Sequence, residues 1–205
     1  TDMAGDTRER IMEAALRLFA RNGYPGTSMS DIAAQLGITK PALYKHYAAK
    51  QEILDRIVER MDELDRERAE KYHMPQCDEE NFGEIYANTP ADRIRQYSIV
   101  QFRHWTEEEF SSCFRKMLTL EQYRSPEMAA LYHRYLGAEP LAYMAEIFRN
   151  FADSDETARR LALEFYGPIH LLYSIYDSAE NKDRVMNMLQ SHIDRFTADI
   201  EAGAI

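Results

Sequence analysis

The chain has 205 residues, of which 45% are hydrophobic and 29% charged, and its formal net charge is -10. This composition belongs to a folded chain able to build one large core or two small ones, and it argues against disorder. No apolar run approaches the ~20 residues of a membrane helix. The two cysteines, Cys77 and Cys113, are too few for a disulfide framework, so a reduced, cytoplasmic setting without a membrane partner is expected.

Helix signals dominate the chain and predict an all-α fold of about nine helices: a small N-terminal three-helix bundle and a larger C-terminal one. The first helix is expected over 7–22, with Asp6 and Glu9 as a capping box and Ile11, Ala15, Leu18 and Phe19 on one face. Gly23 is positioned to end it. A second helix is expected over 29–36, capped by Ser28 and stopped by Gly37. A third is expected over 40–46, capped by Thr39, with Pro41 tolerable because it falls in the first turn. The fourth, 50–71, carries Ile53, Ile57, Met61 and Leu64 on one side and turns mostly charged after Asp62, which predicts an exposed end. Residues 73–88 read as a polar loop.

The punctuation then repeats. Thr89 to Asp92 open a helix over 90–105, and Thr106 to Glu109 read as a capping box for the next, to about 123. Ser125 and Pro126 open a helix that Gly137 and Pro140 should kink or break. The last two helices are expected over 155–178 and 182–202. The boundary between the two domains is placed at residue 50, giving domains 1–50 and 51–205.

Residues 28–50 are unlike the rest of this acidic chain. The segment from 31 to 50 holds Lys40, Lys45, His46 and Lys50 against a single acid, Asp31. Ala33, Gly37 and Leu43 have the spacing of two short helices joined by a tight turn at a steep angle. With Leu43 plugged into the core, Lys40, Tyr44 and Lys45 face outward and His46 projects near the helix end. A helix entering a DNA major groove needs cations and hydroxyls at its edges and small or polar groups toward the bases, and it cannot present carboxylates to phosphates. Lys50 and Ser28 stand at helix starts, where the positive end of the dipole suits a phosphate. A solvated charged face is the plainer alternative, and the missing acid together with the turn geometry argues against it. The chain lacks a uniformly basic domain: residues 1–60 carry nine Lys/Arg against eight Asp/Glu, and the remainder is strongly acidic. Indiscriminate binding to nucleic acid is therefore disfavoured.

The stretch TSMSDIAAQLGITKPALYKHYAAKQEIL, residues 27–54, preceded by IMEAALRLFARNGYPGTS, resembles the TetR family of bacterial transcriptional regulators. Tyr44, His46, Tyr47 and Lys50 fit the family pattern, and the resemblance covers roughly the first 55 residues. It implies that Ser28, Thr39, Lys40, Tyr44, His46 and Lys50 contact the DNA backbone of a double-stranded operator. Pro41, Ala42 and Lys45 would lie toward base edges. Pro41 departs from a common glycine, and Tyr47 from a common phenylalanine; the Tyr47 ring is expected inside.

The resemblance further implies a homodimer through the last two helices and a cavity for a small, partly apolar effector. The segment LALEFYGPIHLLYSIYD is apolar nearly all round, so a partner chain or a buried central position must cover it. Large side chains that would lie inside the C-terminal bundle include Phe110, Phe114, Tyr123 and Phe148. Tyr97, Phe102, Trp105, Met117 and Phe165 are the candidate effector-binding residues among them, with His104 and His170 as polar anchors. Ordinary core packing is the competing explanation for all of these. The expected function is a repressor released from a palindromic operator by its effector, the fourth helix carrying the change. The alternative is an effector-free DNA binder in chromosome organisation or partner recruitment.

An enzyme is not expected, because GxSxG, P-loop, HExxH and dinucleotide fingerprints are missing from the sequence. No cofactor is implied. His73 and Cys77 lie four apart, but two ligands are too few for a structural metal centre.

Overall fold

A computed structural model describes residues 3–74 and 89–204, with side chains from residue 6 onward. The expectations for Cys77 and for most of the polar loop lie outside the described residues. Among those residues the chain is all-α: α1 (Met3–Asn22), α2 (Met29–Leu36), α3 (Lys40–Tyr44), α4 (Lys50–Lys71), α5 (Ala91–Glu107), α6 (Glu109–Glu121), α7 (Pro126–Tyr135), α8 (Ala138–Phe148), α9 (Asp155–Ser178) and α10 (Lys182–Glu201). A single 3-10 turn, Arg149–Phe151, links α8 to α9.

The helices group into two compact units. The first combines residues 1–65 with 109–132, and the second combines 66–108 with 133–205. The first unit therefore takes in most of α4 and all of α6, beyond the expected cut at residue 50. The chain passes from one unit to the other within α4, at the α5–α6 joint and within α7.

In the first unit α1 packs on α6 and α2, and α2 on α3. Ile11, Ala15, Leu16 and Phe19 of α1 are fully buried, as are Ile32, Leu43, Ile53, Ile57, Phe114 and Met117. Each of these side chains larger than alanine contributes ~1.5–3 kcal/mol relative to exposure. Arg17 joins α1 to α6 through Glu109, with Nε to Oε1 at 2.8 Å and Nη2 to Oε2 at 2.9 Å. Cys113 lies beside this pair, and burial pushes its thiol above the usual range, so little reactive thiolate is present.

In the second unit α9 packs on α8 and α10, and α5 on α10 and α9. Phe148, Phe165 and Phe196 form a mutual cluster with ring centroids 4.9–5.4 Å apart. Phe102 stacks on Tyr173 at 5.1 Å and meets Tyr176 edge-on. His104 is fully buried, and its Nδ1 faces both the Arg68 guanidinium and Glu108 Oε2. Burial and the Arg68 charge push the imidazole pKa down to about 2. The ring is therefore neutral, Nδ1 accepts from Arg68, and the ring proton sits on Nε2.

Several expectations are corrected. The first helix begins at Met3, so Asp6 lies within its first turn instead of capping it. Thr106 does not cap α6. It is buried inside α5 and donates to the Phe102 carbonyl four residues back. The charged end of α4 is not uniformly exposed, since Arg68 is buried against His104 and Gln101. Tyr123 is not interior: it is 90% exposed where α6 has ended. The break at Gly137 is present. Its backbone is not helical (φ -113°, ψ -110°), so α7 stops and α8 starts afresh with Pro140 in its first turn, and a Cβ there would meet His133 Nδ1 at 2.6 Å.

Candidate nucleic-acid interface

The turn between α2 and α3 is built by local chemistry. Ser28 caps α2: its hydroxyl accepts from the Asp31 N–H at 3.2 Å and donates to Asp31 Oδ2 at 2.6 Å. The same carboxylate oxygen takes the Ser28 N–H. These bonds hold the Asp31 carboxyl below its ordinary range and turn it back on the cap. Gly37 closes the helix at φ 66°, a left-handed conformation that favours glycine, and the Ile38 N–H reaches back to Ala33. Thr39 then caps α3 by accepting from the Ala42 N–H, with Pro41 in the first turn where no donor is required.

α3 ends at Tyr44, shorter than expected, with Lys45 as its C-cap. Leu43 is fully buried and Tyr47 is 1% exposed, so the Tyr47 ring packs inside as anticipated. The outward side carries Thr39, Lys40, Pro41, Tyr44 and Lys45, all exposed, while Ala42 and His46 are half-buried. Lys40 Nζ lies 5.9 Å from the Tyr44 ring centre. The corner thus presents two cations, a phenol and a hydroxyl to solvent, and α3 itself bears no carboxylate.

Lys50, the first residue of α4, is placed differently from a freely projecting cation. Its ammonium donates to the carbonyls of Tyr24 at 2.6 Å and Thr27 at 2.8 Å, which leaves one of its three N–H bonds for another acceptor. Burial lowers its pKa.

Two supporting residues were not apparent from sequence. Arg8 of α1 donates to the His46 carbonyl at 2.7 Å and lies 4.4 Å over the Tyr47 ring, while the Tyr47 hydroxyl donates to the Arg8 carbonyl. Glu52 accepts from the Ala48 N–H at 2.7 Å and pairs with Arg8. Together they fix the segment between α3 and α4.

The candidate effector residues do not share one unit. Met117 is buried in the first unit; Tyr97, Phe102, Trp105 and Phe165 belong to the second. There Tyr97 is half-buried beside Tyr72, while Phe102 and Phe165 sit in separate ring clusters.

The sequence model described as "Bacterial regulatory proteins, tetR family" matches residues 11–57, which cover this corner and Glu52 but not Arg8. An uncharacterised HTH-type transcriptional regulator, TtgW of Pseudomonas putida, is 38% identical over 55 residues, 27% of this chain and 41% of that regulator. The match thus spans well under two thirds of the relative's length. Over the whole chain the likeness is one of fold. A regulator from Saccharomonospora viridis, solved in complex with choline, superposes with TM-score 0.65 at 22% identity, over 93% of this chain and 96% of that one. A complex of SmeT with triclosan gives TM-score 0.63 at 20% identity, over 94% and 90% of the two chains. With its capped helix-turn-helix and the family match across it, the segment 11–57 is a helix-turn-helix domain of the tetR family of bacterial regulatory proteins.

Proposed function

We propose that the protein is a dimeric repressor that binds a roughly palindromic operator and is released from it by a small, partly apolar effector. The observation that carries the DNA half is the outward face of α3, where Lys40, Tyr44 and Lys45 are exposed on a helix anchored by Leu43 and Tyr47. In this reading Pro41, Ala42 and Lys45 approach base edges. Ser28, Thr39, Lys40, Tyr44, His46 and the remaining Lys50 N–H approach phosphates.

The dimer is supported by an apolar stripe on α9. Leu163, Leu171 and Ile175 are 60%, 61% and 38% exposed, and they stand with Gly167 at four-residue intervals, so they share one helix face. A Cβ added at Gly167 would meet no atom within 4 Å. Met188 of α10 is also exposed. A second copy would cover this surface, and a two-fold pair would offer two α3 helices to half-sites ~34 Å apart.

The effector is supported by analogy: two neighbouring structures of this fold are complexes, one with choline and one with triclosan. An effector that prefers the conformation not bound to DNA weakens operator binding by the same factor that DNA weakens effector binding. Duplexes selected by the protein from a random pool, then footprinted, test the first half. A palindromic consensus is expected, and failure to enrich any sequence removes the reading. Operator affinity across a metabolite panel tests the second half, with no change anywhere favouring the effector-free alternative.

A further inference from the structure

The loop between α1 and α2 is short of internal partners. Residues 23–28 leave helix α1 at Gly23 (φ 80°) and arrive at Ser28, the cap of α2. Within the loop, Thr27 supplies two bonds: its hydroxyl donates to the Gly23 carbonyl at 3.0 Å and its N–H to the Tyr24 carbonyl at 3.4 Å. The carbonyls of Tyr24 and Thr27 take the Lys50 ammonium. The Tyr24 N–H is met by Glu121 Oε1 at 3.1 Å.

Glu121 is the last residue of α6, 97 positions away, and it is 1% exposed. A carboxylate is poorly placed there on general grounds, because the C-terminal end of α1 carries partial negative charge. A buried carboxylate is retained only with specific partners. Those present are the Tyr24 N–H, the Arg124 guanidinium at 3.5 Å and the field of the Lys50 ammonium. Gly23 makes room for it: a Cβ at that position would lie 2.6 Å from Glu121 Oε1. The carboxylate and the ammonium therefore grip one loop through its N–H and its carbonyls, and that loop sets where Ser28 and the start of α2 stand.

We propose that Glu121 is a positioning residue for DNA binding, holding the α1–α2 loop against Lys50 so that the N-terminus of α2 and the Lys50 ammonium are seated for phosphates. This rests on the DNA-binding reading of the α3 corner. It assigns part of that machinery to α6, far in sequence from the helix-turn-helix.

The test uses the full chain and the duplex that the wild type selects from a random pool. Glu121→Gln keeps an oxygen acceptor for the Tyr24 N–H and should bind within about threefold of wild type. Glu121→Leu removes the acceptor, and Glu121→Asp withdraws it by one methylene. Both should lose about tenfold or more in affinity, the scale of leaving one buried donor without its acceptor. In both, the salt dependence should flatten by about one phosphate's worth, because a seated contact is lost. The Tyr24 amide should also exchange faster with solvent. The Asp variant carries the test if the Leu variant does not fold. Wild-type affinity and slope in Glu121→Asp, or a Glu121→Gln variant as impaired as Glu121→Leu, would overturn the proposal. If the wild type itself selects no duplex, it is the DNA-binding reading that fails.

Discussion

Lys50 and Tyr24 are joined twice: the ammonium donates 2.6 Å to the Tyr24 carbonyl oxygen and lies 4.3 Å from the centre of the same residue's ring. The ring is in turn held edge-on by Phe19 at 5.0 Å, and its hydroxyl donates to Gln51. A residue that sequence places at a phosphate is thus also a strut of the loop before α2. Lys50→Met should therefore lower thermal stability as well as operator affinity, by ~1–3 kcal/mol of unfolding free energy. If the third N–H serves a phosphate, the slope of affinity against salt also drops by about one unit. A stability loss with an unchanged slope would confine Lys50 to the internal role.

Tyr44 is the opposite case. It is 45% exposed, no hydrogen bond ties it to another element, and Lys40 lies beside its ring. Tyr44→Ala should weaken operator binding about tenfold while leaving the unfolding free energy within about 0.5 kcal/mol of wild type, as surface substitutions usually do. Parallel binding and urea titrations decide it: equal affinity for the two proteins would remove Tyr44 from the interface.

Much of the helical layout was legible because its ends are punctuated by side chains that bond their own backbone. Ser28, Thr39, Ser125, Ser154 and Asn181 each accept from an N–H three residues on. Such signals are local, and the corner of α2 and α3 is made of them. Thr106 shows the limit. A threonine hydroxyl can cap the next helix or bond back four residues, and only its burial inside α5 selects the second. Arg68 was read as solvated because it stands in a charged run, yet a buried imidazole on α5 draws it inside. Arg8 and Glu121 left no pattern at all, since their partners lie 38 and 97 residues away. Local periodicity reports which face of a helix is apolar, but not which distant loop needs a donor or an acceptor.

The buried His104 makes stability depend on pH in a definite direction. Its pKa is about 2 in the folded chain against ~6.5 when unfolded. Between those values the unfolded chain binds up to one more proton than the folded one, so stability rises with pH through that window. The stabilisation is complete above ~6.5 and is lost as the pH falls, by at most ~1.4 kcal/mol per unit. The exposed Glu108 carboxylate lies 2.8 Å from Nδ1, and the Arg68 guanidinium that faces the same nitrogen opposes a second charge there. Urea unfolding at pH 7, 6 and 5 for wild type and His104→Gln should show a steeper acid loss in the wild type. Parallel curves would mean that His104 is not held neutral.

Leu171 offers the sharpest separation of assembly from folding. It is 61% exposed on the stripe it shares with Leu163, Gly167 and Ile175, whereas the next residue, Leu172, is 5% exposed and turned into the core. A charge at 171 meets water in a monomer, so Leu171→Glu should leave the isolated fold within about 0.5 kcal/mol of its original stability. In a two-fold dimer the same side chain meets its own copy or an apolar partner, and a desolvated carboxylate there is strongly disfavoured. Sedimentation velocity should show dimer for wild type and monomer for the variant. Operator affinity should fall by more than tenfold, because one α3 helix then binds without its twin. A Leu171→Glu protein that sediments as a dimer and keeps its affinity would place the subunit contact somewhere other than this face of α9.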